Sequence, residues 1–210
     1  MIWSLIKSFY CLDTDTSIGR WDKCVDEFIK VGIPYVERRL GTEQENRYLS
    51  FNQAHYDAIK AGYDTGEPFC ILENDVVFDD KHWKRMEEAT AQLPKDWDLL
   101  YLGANITGYP GADWQMPQKV SDNILRLYNA WQTHAIVYSN KMAKWVIDNF
   151  DPKTFPVYDE WLRINVMPQF NVYLISPMIC FQRPGYSVLN RADVAYGCHK
   201  EGNNWIKENL

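Results

Sequence analysis

Phe69-Cys70-Ile71-Leu72-Glu73-Asn74-Asp75-Val76-Val77-Phe78 is the stretch on which the reading of this chain turns. Pro68 precedes a short, continuous apolar run, the pattern of a strand covered on both faces. The run ends in two carboxylates flanking an amide, and a second apolar triplet follows. Charges beside a core must be paired, solvated or bound to a metal. In an open parallel sheet, ligands sit just beyond the carboxyl ends of the strands. Glu73 and Asp75 supply hard oxygen ligands and Asn74 a further oxygen, a set suited to Mn²⁺ or Mg²⁺ that could hold a diphosphate. A turn closed by an Asx cap accounts for the same three residues equally well.

Working outward, 210 residues are enough for one good core. With 46% apolar and 15% aromatic residues the chain is not a disordered one. A formal charge of -6, without a dense Lys/Arg stripe, argues against a duplex nucleic-acid partner. Cys11, Cys24, Cys70, Cys180 and Cys198 are widely spaced with no CxxC pair, so a zinc knuckle or redox motif is not expected. Cys24 and Cys70 read as small core hydrophobes, and this usage fits a reducing compartment. Lys7 interrupts the apolar start and no cleavage site follows it, so it reads as a first strand. No stretch is long and apolar enough for a membrane span. A cytoplasmic location is expected, and peripheral attachment to a membrane remains compatible with it.

In chain order, Trp3–Leu12 reads as the first strand, and the polar cluster from Asp13 to Ser17 as the cap of a following helix. Trp21, Cys24, Val25, Phe28 and Ile29 recur at helical spacing, Gly32 stops the helix, and Ile33–Val36 reads as a second strand. This β-α-β opening puts Asp13, Thr14 and Thr16 where a nucleotide should bind, with Arg20 in reach of a phosphate or carboxylate. Thr14 and Arg20 can equally be solvated or capping. Arg38–Arg47 is polar and loop-like. Tyr48–Ala61 reads as a helix with Gly62 as its C-cap, and Asn52 and His55 share one face of it. A helical histidine more commonly bonds a neighbouring loop.

Beyond the central strand, Asp79-Asp80 caps a helix and Trp97–Leu102 is the next strand. Ala104–Asn123 is a long loop in which Tyr109 and Trp114 can form an acceptor wall or a lid. Ile124–Ala130 and Thr133–Tyr138 read as strands, and Ser139 or Asn140 caps a helix. Asp159 and Glu160 open another helix, where its dipole alone would account for them. Val172–Ile175 and Met178–Phe181 are late strands. No Gly-rich phosphate loop is present.

Several of these pieces, in order, look like one known arrangement. Ile71–Phe78 resembles the leucine-glutamate-aspartate-aspartate-valine segment of glycosyltransferase family 25, the group that contains lipooligosaccharide and collagen hydroxylysine galactosyltransferases. Ala54–Ile59 resembles its serine-histidine helix, Trp97–Gly103 its next strand and Thr133–Ser139 its threonine-histidine-alanine segment. Tyr158–Leu162 resembles its aspartate-containing helix start, and Arg183–Ser187 is similar to a closing motif. The ordered set runs from about Phe9 to Asn190. Asn74 replaces the family's usual aspartate, Ala54 its serine, and Asp13-Thr14-Asp15-Thr16 its arginine-rich turn.

The resemblance implies an α/β chain with the GT-A glycosyltransferase fold, a Rossmann-like mixed sheet flanked by helices. Residues 1–210 would form a single catalytic domain, with a nucleotide-sugar half over about 1–103 and an acceptor half over 104–210. It further implies a hexosyltransferase that moves a sugar from a nucleotide sugar, UDP-linked by preference, to a hydroxyl of an oligosaccharide or glycoprotein, with inversion. Asp13, Thr14 and Thr16 would border the base or ribose. Arg20, His55 and Asn74 would help hold the donor. Glu73 and Asp75 would bind Mn²⁺ or Mg²⁺, with His199 as a further ligand. Asp159 would be the base and Glu160 the second candidate, while His134 would touch the diphosphate or acceptor. A non-catalytic carbohydrate-binding domain and another nucleotide-dependent transferase are the alternative readings.

Overall fold

The computed structural model describes residues 3–14, 19–41, 45–106, 115–154, 157–187, 189–195, 203–204 and 206–207. Thr16, Tyr109, Trp114 and His199, all singled out above, lie outside them.

Strand β1 (Ser8–Asp13) begins later than expected, because residues 3–5 form a turn that tucks Trp3 and Ile6 into the core. Helix α1 (Arg20–Val31) buries Cys24, Phe28 and Val31, while Ile29 points to solvent. Its N-cap is Gly19, which makes no side-chain cap hydrogen bond, so the cap expected from the 13–17 cluster is not made there. At its other end Gly32 adopts φ 71°, and the N–H groups of Gly32 and Ile33 reach back to the Ile29 and Phe28 carbonyls. Such a Schellman ending carries an apolar residue just past the helix. Ile33 is that residue and not the start of a strand. The second strand, β2, is Glu37–Leu40, a stretch that looks like a loop because a charged sequence is what an edge strand carries.

Helix α2 (Arg47–Asp64) runs through Gly62, which is not its C-cap. A Cβ there would collide with the Phe69 ring, so the glycine admits the close approach of helix to sheet. The central run divides into β3 (Phe69–Glu73) and β4 (Val76–Phe78). Asp79 accepts from the N–H groups of Lys81 and His82, and a single 3₁₀ turn then leads into α3 (Met86–Gln92). β5 (Leu99–Tyr101), β6 (Gln118–Lys119), β7 (Ile124–Arg126) and β8 (Ala135–Tyr138) follow. The Ser139 hydroxyl caps α4 (Asn140–Asn149) through the Met142 N–H. The chain continues through α5 (Tyr158–Asn165), β9 (Val172–Ile175) and β10 (Cys180–Gln182) to the unanticipated hairpin of β11 (Gly185–Ser187) and β12 (Ala192–Val194).

Eight strands form one mixed sheet in the order β2-β1-β3-β8-β5-β9-β7-β6. β2, β1 and β3 are parallel, and β8 runs antiparallel between β3 and β5. Side chains alternate across it. Phe9, Cys11, Cys70 and Leu72 face a cluster with Cys24 and Phe28 of α1 and Met86 of α3. Tyr10, Phe69 and Ile71 face Ile59 of α2, Met142 of α4 and Tyr158 of α5. The expected fold class, an α/β chain with a mixed sheet flanked by helices, is the one observed. The expected core role of Cys24 and Cys70 holds too, since both are free and buried. From β1 the chain passes through α1 to β2 on one side, then returns through α2 to β3 on the other. That reversal opens a crevice at the carboxyl ends of β1 and β3.

Candidate active site at the ends of β1 and β3

Two sheets part company at Asn74-Asp75. β3 ends at Glu73 in the large sheet, whereas β4 leaves it to pair antiparallel with β10. The turn between them therefore stands at the mouth of the crevice.

Asp13, the last residue of β1, is buried and already committed. The Arg38 guanidinium contacts its Oδ2 through Nε at 2.8 Å and Nη2 at 2.6 Å. Its Oδ1 accepts from the Thr14 N–H at 2.8 Å and from Asn74 Nδ2 at 2.6 Å. Asn74 Oδ1 in turn accepts from Arg20 Nη1 at 3.1 Å, and Arg20 Nη2 donates to the Tyr186 carbonyl. Asp13, Asn74, Arg20 and Arg38 thus form a continuous brace across β1, β2, α1 and the turn. Asn74 serves here as a strut between a carboxylate and a guanidinium. An aspartate could fill only the accepting half of that role.

Glu73 belongs to a second group. Its Oε1 accepts from Thr133 Oγ1 at 2.6 Å and lies 3.5 Å from His55 Nε2, which leaves Oε2 uncommitted among the described residues. Burial alone would raise this carboxyl, but the His55 hydrogen bond and charge, Thr133 and His134 together hold it below its ordinary value. His55, fully buried on α2 with its ring tilted against that of Tyr158, is therefore a support for Glu73. Asn52 instead donates to the Pro152 carbonyl, so the two residues do not act on one cleft feature as their spacing implies.

Asp75 behaves in the opposite way. Gln182 Nε2 donates to its Oδ2 at 3.3 Å, while Oδ1 is buried with no hydrogen-bond partner among the described residues. Burial first, and the neighbouring Glu73 charge second, push its carboxyl up to about 7, against the pull of Arg20 and Gln182. Two carboxylates two residues apart, each with an uncommitted oxygen, make an electrostatically unfavourable arrangement in the ligand-free protein. Among the described residues no group of three or more His, Cys, Asp or Glu side chains could hold a metal. Glu73 and Asp75 nonetheless fit a hard divalent ion, because Mg²⁺-type sites use one or two carboxylates and take the rest from water and substrate phosphate.

The start of α5 closes the other side. Among the described residues, Asp159 accepts from backbone N–H groups alone, those of Gln132 at 3.4 Å and Glu160 at 2.8 Å. Burial raises its carboxyl, those two hydrogen bonds lower it, and the charges of Glu73 and Glu160 add to the rise. Gln132 stands at φ 75°, a left-handed conformation that side-chain-bearing residues adopt at a cost. Glu160 is otherwise occupied. Its carboxylate holds Arg163 at 2.6 and 2.8 Å and the Trp131 indole N–H at 2.9 Å, and the Arg163 hydrogen bond keeps it ionised below its ordinary value. His134 is buried next to Gly103, where a Cβ would stand 2.8 Å from its Nε2 and run into the Cys180 carbonyl.

Comparison with protein-family models gives no match for this chain, and comparison with curated proteins gives none. Among solved structures, a glycosyltransferase involved in glycosylation of the major capsid of PBCV-1 is similar at 11% identity and TM-score 0.49, over 96% of this chain and 100% of that one. A putatively named glucose-1-phosphate thymidylyltransferase from Bacillus anthracis is similar at 11% identity and TM-score 0.46, over 97% and 96%. An apo UDP-glucose pyrophosphorylase is similar at 8% identity and TM-score 0.41, over 83% and 65%. Every score lies below 0.5, so none of them carries weight here beyond its own description.

The structure therefore brings together Asp13, Thr14, Arg20 and Asn74 in one group, and Glu73, His55 and His134 in another, with Asp75 between and Asp159 opposite. Glu160 is tied to Arg163 instead. Arg38, Gln132, Thr133 and Gln182 take part without having been marked by the sequence. Thr133 opens the Thr133–Ser139 segment and so carries a sequence signal; Arg38 and Gln182 depend on strand pairings that no local pattern announces.

Proposed function

We propose that this chain is a glycosyltransferase of the GT-A type, related to glycosyltransferase family 25, that uses a nucleotide sugar and a divalent ion at Glu73 and Asp75. The observation that carries this reading is the Asp75 carboxyl, buried with a bare Oδ1 beside a second carboxylate at the sheet's switch point. An Mn²⁺ or Mg²⁺ ion bound there would draw charge from the departing diphosphate. Glu73 Oε2 and Asp75 Oδ1 are the atoms available to hold it, and Thr133 and His55 fix the Glu73 carboxylate.

Asp159 takes the role of base. In an inverting transfer the acceptor oxygen bonds to the anomeric carbon, the bond from that carbon to the diphosphate breaks, and the hydroxyl proton passes to Asp159. Its raised carboxyl is a stronger base than an ordinary aspartate, and among the described residues its hydrogen bonds come from the backbone N–H groups of Gln132 and Glu160. Glu160 loses that candidacy to its ion pair. The brace of Asp13, Asn74 and Arg20 shapes the floor on which a base and ribose would rest. The acceptor, an oligosaccharide or glycoprotein hydroxyl, would approach from the side of residues 104–210.

Calorimetric titration of UDP and of several UDP-sugars, with Mn²⁺ and with EDTA, on wild type and Asp75→Ala tests this reading. Metal-dependent binding that disappears in the variant is expected. A folded wild-type protein that binds no nucleotide under either condition would refute it.

A further inference from the structure

Resting on the proposed ion at Glu73 and Asp75, we infer that the Gln182 side-chain carbonyl is a further ligand of that ion. Gln182 lies on β10, where it pairs with Val76 immediately after the turn, and it is only 8% exposed. Its Nε2 donates to Asp75 Oδ2, and its Oε1 is buried with no hydrogen-bond partner among the described residues.

The amide orientation follows from its neighbour. Turning Gln182 over would set its carbonyl against an Asp75 oxygen, acceptor against acceptor. In the orientation that satisfies Asp75 Oδ2, one hydrogen-bonded pair of side chains presents two buried acceptor oxygens, Asp75 Oδ1 and Gln182 Oε1, with no donor for either. A lone unsatisfied acceptor is already unfavourable, and two on one linked pair call for a shared positive partner. A hard cation meets both, because amide carbonyls and carboxylates are its ordinary ligands. The backbone supports the same placement. The Arg183 N–H donates to the Asp75 carbonyl at 2.6 Å, so β10 is anchored to the turn on the residue next to Gln182. With Glu73 Oε2 the set becomes three protein oxygens, two from carboxylates and one from an amide.

The test is Mn²⁺ binding followed by electron paramagnetic resonance of the free ion, without nucleotide and with UDP. It is applied to wild type, Gln182→Leu, Gln182→Glu and Asp75→Asn. Thermal unfolding in EDTA establishes that each variant is folded. Gln182→Leu, close in size but without the carbonyl, should weaken Mn²⁺ by about tenfold or more. Gln182→Glu should bind as tightly as wild type or tighter, even if the leucine variant is poorly folded. Wild-type-like affinity in Gln182→Leu, or equal weakening in Gln182→Glu, with Asp75→Asn still abolishing binding, overturns the role of Gln182 alone. Absence of Mn²⁺ binding by wild type under both conditions overturns the metal reading and this inference together.

Discussion

Replacing Asn74 by aspartate restores the residue usual in the resembled family, yet in this chain it should be harmful. Asn74 Nδ2 lies 2.6 Å from Asp13 Oδ1, so the substitution removes a donor and sets a second carboxylate against the first. Two unit charges at that separation repel by about 6 kcal/mol at an effective dielectric near 20. Arg38 is already engaged with Asp13, and Arg20 would pair with the new carboxylate, so relaxation and this pairing offset part of the repulsion. Loss of a hydrogen bond to a charged group adds to what remains, and the net penalty should be about 2–4 kcal/mol.

Urea unfolding of wild type, Asn74→Asp and Asn74→Ala in EDTA at pH 8 and pH 5.5 measures this through the midpoint at constant slope. Asn74→Ala loses the hydrogen bonds without gaining the repulsion and should cost about 1–2 kcal/mol. The new carboxyl would titrate higher in the folded protein than in the unfolded chain. Between those two values the folded state holds the extra proton, so the Asn74→Asp penalty is largest at pH 8 and shrinks as pH falls. Equal losses in Asn74→Asp and Asn74→Ala, or a penalty that grows on acidification, would refute the electrostatic account of Asn74.

Asp159→Asn should lower kcat by about 10²–10⁴-fold with donor affinity unchanged, and in wild type kcat should fall as pH drops through the raised Asp159 value; a flat profile removes it as base. Asp75→Asn should stabilise the metal-free protein at pH 8. The Asp75 carboxyl is pushed up to about 7 from 3.8, so the folded state binds the extra proton across that window and wild-type stability declines as pH rises through it. Urea midpoints in EDTA should show a gain of about 4 kcal/mol at pH 8 that fades toward pH 4. Gly103→Ala should lower stability by about 1–3 kcal/mol, seen as a reduced Tm, because the added carbon meets the Cys180 backbone and the His134 ring.

Elements that announce themselves locally were readable, and those that depend on partners were not. β3 shows as an unbroken apolar run, and α1 as a three-and-four spacing that ends at a glycine. The position of β2 was not readable, since Ile33 is apolar for the sake of a helix ending and Glu37–Leu40 is charged because the strand lies at an edge. Gly62 has the sequence appearance of a helix stop, and only the Phe69 ring, seven residues on, explains its place inside α2. Within the site, Glu73 and Asp75 stood out because carboxylates ending an apolar run are conspicuous, whereas Asp159 was marked only by the resemblance of its helix start to the family's. Arg38, Thr133 and Gln182 did not stand out, because each acts through a contact 25 to 107 residues distant.

The division of charge within this one turn bears most directly on its chemistry. The Arg20 charge reaches Asp75, but the brace directs the Arg20 guanidinium itself to Asn74 and the Tyr186 carbonyl, and that of Arg38 to Asp13. Were Asn74 absent from the chain of contacts, Arg20 would be free to swing toward Asp75 and satisfy it from within. Holding the guanidiniums away leaves a local deficit of positive charge, which burial sharpens by removing water from Asp75 Oδ1. A protein evolved only for stability would close that gap with its own arginine. Keeping it open is costly, and strained positions such as Gln132 at φ 75° lie at the same crevice. Under the proposed function the missing positive charge arrives with the ligand, and leaving Glu73 and Asp75 bare then prepares the site for it.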